Sequence, residues 1–253
     1  MLMPRPWHHR PHLDGLRAVA AAGVLLFHAD LPVAAGGFVG VDAFFVLSGF
    51  LITALLLREH DATGRVALAR FWGRRARRLL PTALVVLAAT AALWATLKPP
   101  LEAARHADDV LASALYVSNW WFFASAHDYF AQDQAVSPVL HTWSLAVEEQ
   151  FYVAWPLVVL GLARGIPERA RTGALGVAAA AGLAWALVQD PLRAHYATDA
   201  RAGQLLLGAT LATVRFPVVP AARWGALAAV AALGVLGSGL LELPPVVRGV
   251  LAA

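Results

Sequence analysis

The sequence predicts an all-α fold, a polytopic transmembrane helix bundle of about seven spans with one further re-entrant or interfacial helix. Of the 253 residues, 59% are hydrophobic and only 14% are charged, whereas an ordinary soluble domain has about 25% charged residues. Apolar stretches near the ~20 residues that cross ~30 Å of hydrocarbon recur along the chain. A soluble fold of this composition would expose large apolar patches, so an integral membrane protein is the simpler interpretation.

The polar composition excludes several other classes. The chain has no cysteine, which excludes a disulfide scaffold, a thiolate nucleophile and a cysteine-based zinc site. The net charge is +4, and all the basic residues except Lys98 are arginines. These arginines cluster between apolar runs, as in the cytoplasmic loops of membrane proteins. The positive charge therefore indicates membrane topology and no nucleic-acid partner.

Seven apolar stretches account for the predicted spans, in the order 18–35, 38–57, 79–97, 143–163, 172–188, 201–214 and 224–241. The first stretch carries His28 and Asp30 near its end and another apolar run follows at once, which favours a retained span over a cleaved signal peptide. Pro81 falls in the first turn of the third span, where a proline is tolerated. The sixth span is short for a full crossing.

A further apolar segment, 110–126, is predicted not to cross the membrane. The positive-inside rule places the arginine-rich stretch 58–78 and the basic stretch 164–171 in the cytoplasm. The third and fourth spans already return the chain to that side, so an extra crossing between them would break the parity. The aromatic end of the segment, 120–123, suits the membrane interface. We therefore predict a cytoplasmic N-terminus and a C-terminus on the outer side.

Two ionisable residues of the first span are candidate functional groups, because charge within hydrocarbon is costly. Arg17 and His28 are eleven residues apart, so both lie on one helix face, about 16 Å apart along the axis. Arg17 is expected at the cytoplasmic membrane edge and His28 near the middle of the membrane, where an imidazole can exchange protons. The alternative interpretation is a snorkelling arginine and a hydrogen-bonded packing histidine.

A run of four arginines is a candidate anion site. Arg75 shares a helix face with Arg78, and Arg74 shares one with Arg77. Guanidinium groups suit bidentate binding of phosphate. Positive-inside topology alone also explains several of these arginines.

Two adjacent carboxylates, Glu148 and Glu149, lie near the start of an otherwise apolar helix. Neighbouring side chains point about 100° apart, so at least one of them is expected to face the protein interior. Tyr152 follows at a spacing that lets it bond either glutamate.

Five ordered sequence blocks resemble the membrane acyltransferase-3 family, particularly its O-antigen and exopolysaccharide acetylase branch. The blocks are 13–17 with His28, 37–52, 74–81, 137–152 and 198–209. The resemblance implies transfer of an acyl group, with acetyl expected, from cytoplasmic acyl-CoA to a sugar hydroxyl. The acceptor would be an envelope or exported glycan such as lipopolysaccharide or exopolysaccharide, or a lipid-linked sugar. It also implies contact with membrane lipids, a bacterial inner membrane and no metal.

The resemblance also implies roles for particular residues. Arg17 and His28 match the essential Arg-x10-His pair of the family, and Glu149 matches the second glutamate of its Glu-Glu-Gln-Phe-Tyr block. His28 is expected to act as general base on the sugar hydroxyl or to relay a proton to the leaving thiolate. Arg17 would orient the CoA or its pantetheine arm, and Glu149 would orient the imidazole or stabilise its cation. Direct transfer and an acyl-histidine intermediate both remain open.

The family's cytoplasmic Arg-x-x-Arg pattern, which is thought to meet the CoA phosphates, has two possible matches. Arg75 with Arg78 fits it, and Arg74 with Arg77 fits the same spacing. The register is therefore open.

We predict a single membrane-embedded domain over 1–253, truncated at its C-terminus relative to the family and without the outer SGNH hydrolase-like domain of many members. One alternative is a truncated, non-catalytic remnant. The other is a small-molecule transporter, because intramembrane charges and broken helices also occur in transporters. No inverted repeat is visible in the sequence, which favours the acyltransferase over the transporter.

Overall fold

A computed structural model describes residues 11–126 and 136–214, and the regular elements in these ranges are all helical. The all-α prediction is confirmed for this part of the chain. The helices are α1 (Pro11–His28), α2 (Val39–Thr63), α3 (Leu68–Leu97), α4 (Pro100–Arg105), α5 (Ala107–Ala114), α6 (Ser118–Ser125), α7 (Thr142–Gly165), α8 (Glu168–Leu187), α9 (Pro191–Tyr196) and α10 (Thr198–Thr213). A short 3₁₀ turn, Pro32–Ala34, precedes α2.

Four segments of the described chain are long and apolar enough to cross a membrane, which makes this an integral membrane protein. They are Pro32–Thr63, Leu68–Leu97, Thr142–Gly165 and Glu168–Leu187. The predicted count of seven spans is not confirmed. Neither α1 nor α10 is among the four. Helix α10 is too short, because its 16 residues rise only about 24 Å. The predicted span 224–241 lies outside the described residues.

The first predicted span, 18–35, was wrong at its end. The helix stops at His28, and Asp30 adopts a left-handed φ of 54°. Pro32 explains the stop, because a proline drives the preceding residue out of the helical region. Leu31 accordingly has the extended angles φ −78° and ψ 121°.

The third predicted span was wrong at its start. Helix α3 begins at Leu68, eleven residues before the predicted start at position 79, and Pro81 lies in its interior rather than in its first turn. Arginine, alanine and leucine have high helix propensity, so the basic segment continues the apolar helix. Pro81 removes one backbone hydrogen bond from the interior of α3. The consequence for function is that the arginine run is held on a helix and not on a loop.

The segment 110–126 is not one helix. It is divided between α5 and α6, and Tyr116 between them has a left-handed φ of 55°. Each of these two helices has eight residues and rises about 12 Å, less than half the hydrocarbon thickness. Neither can cross a membrane, in agreement with the prediction. The re-entrant or interfacial position of the segment 110–126 stays a prediction.

Helix α10 packs against α2 and α8 through glycines at the contact. A Cβ at Gly49 would meet the carbonyl oxygen of Leu205, and a Cβ at Gly208 would meet that of Val46. Small residues allow such backbone-to-backbone approach between helices in membranes. Two apolar clusters beside these contacts join α2, α3, α7 and α10, and one of them extends to α8. Their buried members include Phe45, Ile52, Leu56, Phe71, Trp143, Val147, Trp155, Val159, Leu175 and Leu205.

Helix α3 turns most of its apolar surface away from the protein. Only Phe71 and Leu87 among its residues are buried. Its large exposed apolar residues are Leu80, Leu84, Val85, Val86, Leu93 and Leu97. A helix of 30 residues with this much exposed apolar surface fits contact with lipid, as the composition predicted.

Candidate functional site

A cavity of about 820 Å³ lies between α1, α2, α3 and α7. It falls within the range of about 300–1,000 Å³ that is common for small-molecule sites. Its walls are largely apolar, with polar side chains from each of the four helices. The polar residues that line it are Arg17, Ser48, Arg74, Arg75, Arg78, His141, Ser144, Glu148, Glu149 and Tyr152.

Three of the four arginines in the run line this cavity. Arg74, Arg75 and Arg78 do so, whereas Arg77 does not. The reason is the helical period, because positions 74, 75 and 78 share one face of α3 and position 77 lies off it. Arg17 of α1 adds a fourth guanidinium. Thus neither of the two sequence registers alone describes the basic wall of the cavity.

Arg75 is held in place by protein groups. Its Nη2 donates to Glu149 Oε1 at 3.3 Å, and its guanidinium lies 3.4 Å from the centre of the Tyr152 ring. This cation–π contact and the ion pair together fix the side chain between α3 and α7. In this structure Glu149 pairs with an arginine, and its expected action on the His28 imidazole stays a prediction.

Glu148 is the carboxylate at the centre of the cavity's polar network. Ser48 Oγ donates to its Oε1 at 2.9 Å, and the Tyr152 hydroxyl donates to its Oε2 at 3.2 Å. The two glutamates thus face different partners, as their 100° separation requires. Only Glu149 was singled out by the family pattern. The sequence had indicated that at least one of the two glutamates faces the interior and that Tyr152 can bond either, whereas Ser48 was missed as a site residue.

The two members of the Arg17–His28 pair occupy different surroundings. Arg17 lines the cavity, but His28 does not. The exposed His28 ring shares a 2.8 Å hydrogen bond between its Nδ1 and the carbonyl oxygen of Val24, a cavity-lining residue one turn before it. Arg17 and His28 therefore lie towards opposite ends of the α1 wall.

The imidazole that lines the cavity belongs to His141, at the start of α7. Burial lowers its pKa, and the nearby His28 lowers this pKa further. The two histidines are therefore close enough to interact electrostatically. His141 favours the neutral form and is able to accept a proton or a hydrogen bond. In the described part of the chain, no cluster of three or more His, Asp or Glu side chains forms a metal site.

Comparison with known proteins identifies the family of this chain. The family described as the Acyltransferase domain, acyltransferase-3, matches residues 10–245. The chain belongs to the acyltransferase-3 family. A provisionally named O-acetyltransferase of Staphylococcus aureus strain MSSA476 is 42% identical over 210 residues, which cover 81% of this chain and 34% of that protein. O-acetyltransferase OatA of S. aureus strain NCTC 8325 / PS 47 is 39% identical over 219 residues, covering 85% of this chain and 36% of OatA.

The chain thus spans about a third of the length of these curated relatives. No solved structure matches it.

A second polar network lies inside this acyltransferase-3 domain, and sequence reasoning missed it. Arg201 of α10 donates from Nη1 to Asp42 of α2 at 2.7 Å, and Gln204 donates to the same carboxylate oxygen at 3.1 Å. Arg201 Nε also donates to the carbonyl oxygen of His195 at 2.9 Å. All three charged or amide side chains are buried. Asp42 and Arg201 both fall in family blocks, which was the available signal.

His195 completes this network from α9. Its ring lies 4.4 Å from that of Trp143, and its Nδ1 accepts from Arg201 Nη2 at 3.4 Å. Burial, and then the charge of Arg201, lower its pKa to about 4. The imidazole is therefore neutral near neutral pH, which suits its role as a hydrogen-bond acceptor.

Proposed function

We propose that this chain is the membrane-embedded part of an O-acyltransferase, which moves an acetyl group from acyl-CoA to a hydroxyl of an envelope or exported glycan. Family membership and the names of the relatives support O-acetylation in general. The observation that carries the specific proposal is the composition of the cavity. It combines a basic wall with an inner network of a hydroxyl, a phenol and a carboxylate.

The basic wall suits the donor. Arg17, Arg74 and Arg78 have no hydrogen-bond or ion-pair partner among the described residues. Coenzyme A is a polyanion, and guanidinium groups bind phosphate through paired charge-assisted hydrogen bonds. Arg75 is already engaged with Glu149, so we assign phosphate binding first to Arg74 and Arg78. Arg17 is placed to meet the same anion from α1.

The opposite end of α1 suits the acceptor. His28 lies about 16 Å along the helix from Arg17 and is exposed. A sugar hydroxyl can therefore approach His28 without passing the arginines. We propose His28 as the general base on that hydroxyl, with His141 as the neighbouring imidazole inside the cavity. The ion pair between Glu149 and Arg75 supports a further proposed role for Glu149, which is to position this arginine.

The proposed orientation places the arginine end in the cytoplasm, where acyl-CoA is made, with the N-terminus on the same side. The positive-inside rule supports this orientation. A bacterial inner membrane, and a lipid-linked or polymeric sugar as acceptor, complete the proposal.

Acetyl-CoA binding by the purified chain tests the donor half of the proposal. We would compare wild type with the double variant Arg74→Ala/Arg78→Ala and with Arg77→Ala, a variant of an arginine on the same helix that does not line the cavity. A hydrogen bond to a charged group contributes about 1.5–3 kcal/mol. Loss of both arginines should therefore raise the Kd for acetyl-CoA at least about tenfold, and Arg77→Ala should change it little.

Acetyl-pantetheine, which lacks the nucleotide phosphates, serves as the control ligand. Its binding should be equally weak in wild type and in the double variant. Equal loss of acetyl-CoA affinity in the double variant and in Arg77→Ala would show that bulk charge, and not this wall, attracts the donor. Absence of acetyl-CoA binding by folded wild-type chain would refute the proposed donor.

A further inference from the structure

Ser48 differs from the other serine along the cavity wall in what its hydroxyl contacts. Ser48 Oγ donates to the side-chain carboxylate of Glu148 at 2.9 Å, between residues 100 positions apart. Ser144 Oγ instead donates to the backbone carbonyl oxygen of His141 at 3.2 Å. A hydroxyl becomes a nucleophile when a neighbouring base can take its proton. Of these two cavity serines, Ser48 has such a base and Ser144 does not.

The carboxylate beside Ser48 is held in one orientation. Its second oxygen accepts a hydrogen bond from the Tyr152 hydroxyl. Tyr152 is in turn fixed by the Arg75 guanidinium over its ring and by the Trp72 indole, whose Nε1 donates to the Tyr152 carbonyl oxygen at 3.1 Å. The nucleophile, its base and the group that orients the base therefore form a connected chain, which is the arrangement of activated-nucleophile sites.

The position of Ser48 along its helix also matters. It lies near the midpoint of the candidate span Pro32–Thr63 and lines the cavity that contains the arginines. The donor and the acceptor are both large, and the proposed function brings them from opposite sides. A group held covalently at mid-span allows the two substrates to occupy the site in turn rather than together.

We infer that Ser48 carries the acetyl group as an ester between the donor and the acceptor, with Glu148 as its base; the inference rests on the proposed function. Ser48 Oγ attacks the thioester carbonyl, and its proton passes to Glu148. The carbon–sulfur bond breaks, and the CoA thiolate leaves with that proton as the thiol. The acceptor hydroxyl then attacks the Ser48 ester and loses its proton, the ester oxygen–carbon bond breaks, and a proton returns to Ser48 Oγ.

The first experiment detects the ester directly. The full chain in detergent is incubated with deuterated acetyl-CoA without an acceptor, quenched in acid and digested for mass spectrometry. Wild type should carry one labelled acetyl ester, on the peptide that contains Ser48. Ser48→Ala should lack the ester while binding acetyl-CoA as wild type does, which shows that the variant is folded. Ser125→Ala, a change on α6 away from the cavity, should be labelled like wild type.

Cysteine variants provide a second test that does not depend on loss of function. The chain contains no cysteine, so any acetyl thioester found on the protein must be on the introduced thiol. Ser48→Cys should accumulate a labelled acetyl thioester that neutral hydroxylamine removes. Ser144→Cys, which lines the same cavity from α7 but has no carboxylate partner, should stay unlabelled. In otherwise wild-type chain, Glu148→Gln should slow ester formation about 100-fold or more.

Two results separate this inference from the proposed function. The role of Ser48 would be overturned if wild type transferred acetyl or released CoA with no ester on Ser48. It would also be overturned if Ser48→Ala did so at the wild-type rate. Either result would leave the proposed acyltransferase function in place. Failure of folded wild type to bind acetyl-CoA would overturn both.

Discussion

Breaking the buried ion pair between Asp42 and Arg201 is expected to destabilise the helix bundle strongly. The pair joins α2 to α10, and its atoms Oδ1 and Nη1 are 2.7 Å apart. Asp42→Asn keeps the shape of the side chain and one acceptor oxygen, but it removes the charge. Arg201 then remains buried with its hydrogen bonds to His195 and without a counter-ion.

The expected magnitude follows from the burial. The side chains of Asp42 and Arg201 are only 4% and 11% exposed. Removal of one partner from a buried ion pair costs about 3–5 kcal/mol, because the other charge stays buried without compensation. For a domain of this size, each kcal/mol shifts Tm by about 2–4 °C, so Asp42→Asn should melt about 6–20 °C below wild type.

Thermal unfolding followed by tryptophan fluorescence, at fixed detergent and scan rate, measures this shift. Asp61→Ala is the matched control, since its carboxylate is 67% exposed and a surface substitution usually changes stability by less than about 0.5 kcal/mol. Arg201→Lys should also destabilise, because an ammonium cannot replace the guanidinium fork that reaches both Asp42 and His195. A Tm for Asp42→Asn within 2 °C or so of wild type would refute the reasoning, as would an equal loss in Asp61→Ala.

Three further predictions concern packing, pH and a buried hydrogen bond. Gly208→Ala should lower Tm, because the added Cβ meets a backbone carbonyl of α2, whereas Gly161→Ala, where the Cβ has open space, should raise stability by up to about 1 kcal/mol. His195 has a pKa of about 4 against an ordinary 6.5, so the unfolded chain binds more protons between these values and stability is lost as pH falls from 6.5 towards 4. His195→Gln should reduce that loss of Tm. Thr53→Val removes the acceptor of the buried Trp155 indole at 2.7 Å and should cost about 1–3 kcal/mol.

Each of these predictions has a result that contradicts it. Equal stabilisation by Gly208→Ala and Gly161→Ala would mean that α2 and α10 are not in close contact. An unchanged acid-side slope of Tm in His195→Gln would show that another group causes the pH dependence. Thr53→Val with the Tm and the tryptophan emission of wild type would show that the indole N–H has another acceptor.

The helical architecture could be predicted from sequence because it depends on local composition. The stretch 143–163 coincides with α7 within two residues at each end, since an apolar run of that length bounded by polar residues specifies its own limits. The errors in the predicted helix boundaries came from single residues or short runs that decide where a helix begins or ends. Pro32 ends α1 early, and the helix-forming arginines carry α3 back to Leu68.

The site could be predicted only in part, because its pairs are distant in the chain. The helical period implied that Glu148 and Glu149 have different surroundings, but not which partner each would take. Glu149 pairs with Arg75 across 74 positions, and Glu148 with Ser48 across 100. Such partners depend on how α2, α3 and α7 pack against one another. Residue spacing within one helix carries no information about that packing.

Photochemical crosslinking tests the central claim, that the acyl group of the donor enters the cavity between α1, α2, α3 and α7. An acyl-CoA with a diazirine in its acyl chain would be irradiated with the purified chain, and the crosslinked peptides would be mapped by mass spectrometry. We predict crosslinks on 41–55 of α2 and on 141–152 of α7, reduced by excess acetyl-CoA and by Arg74→Ala/Arg78→Ala. Crosslinks concentrated on α8, which does not line the cavity, or unaffected by acetyl-CoA, would contradict the account.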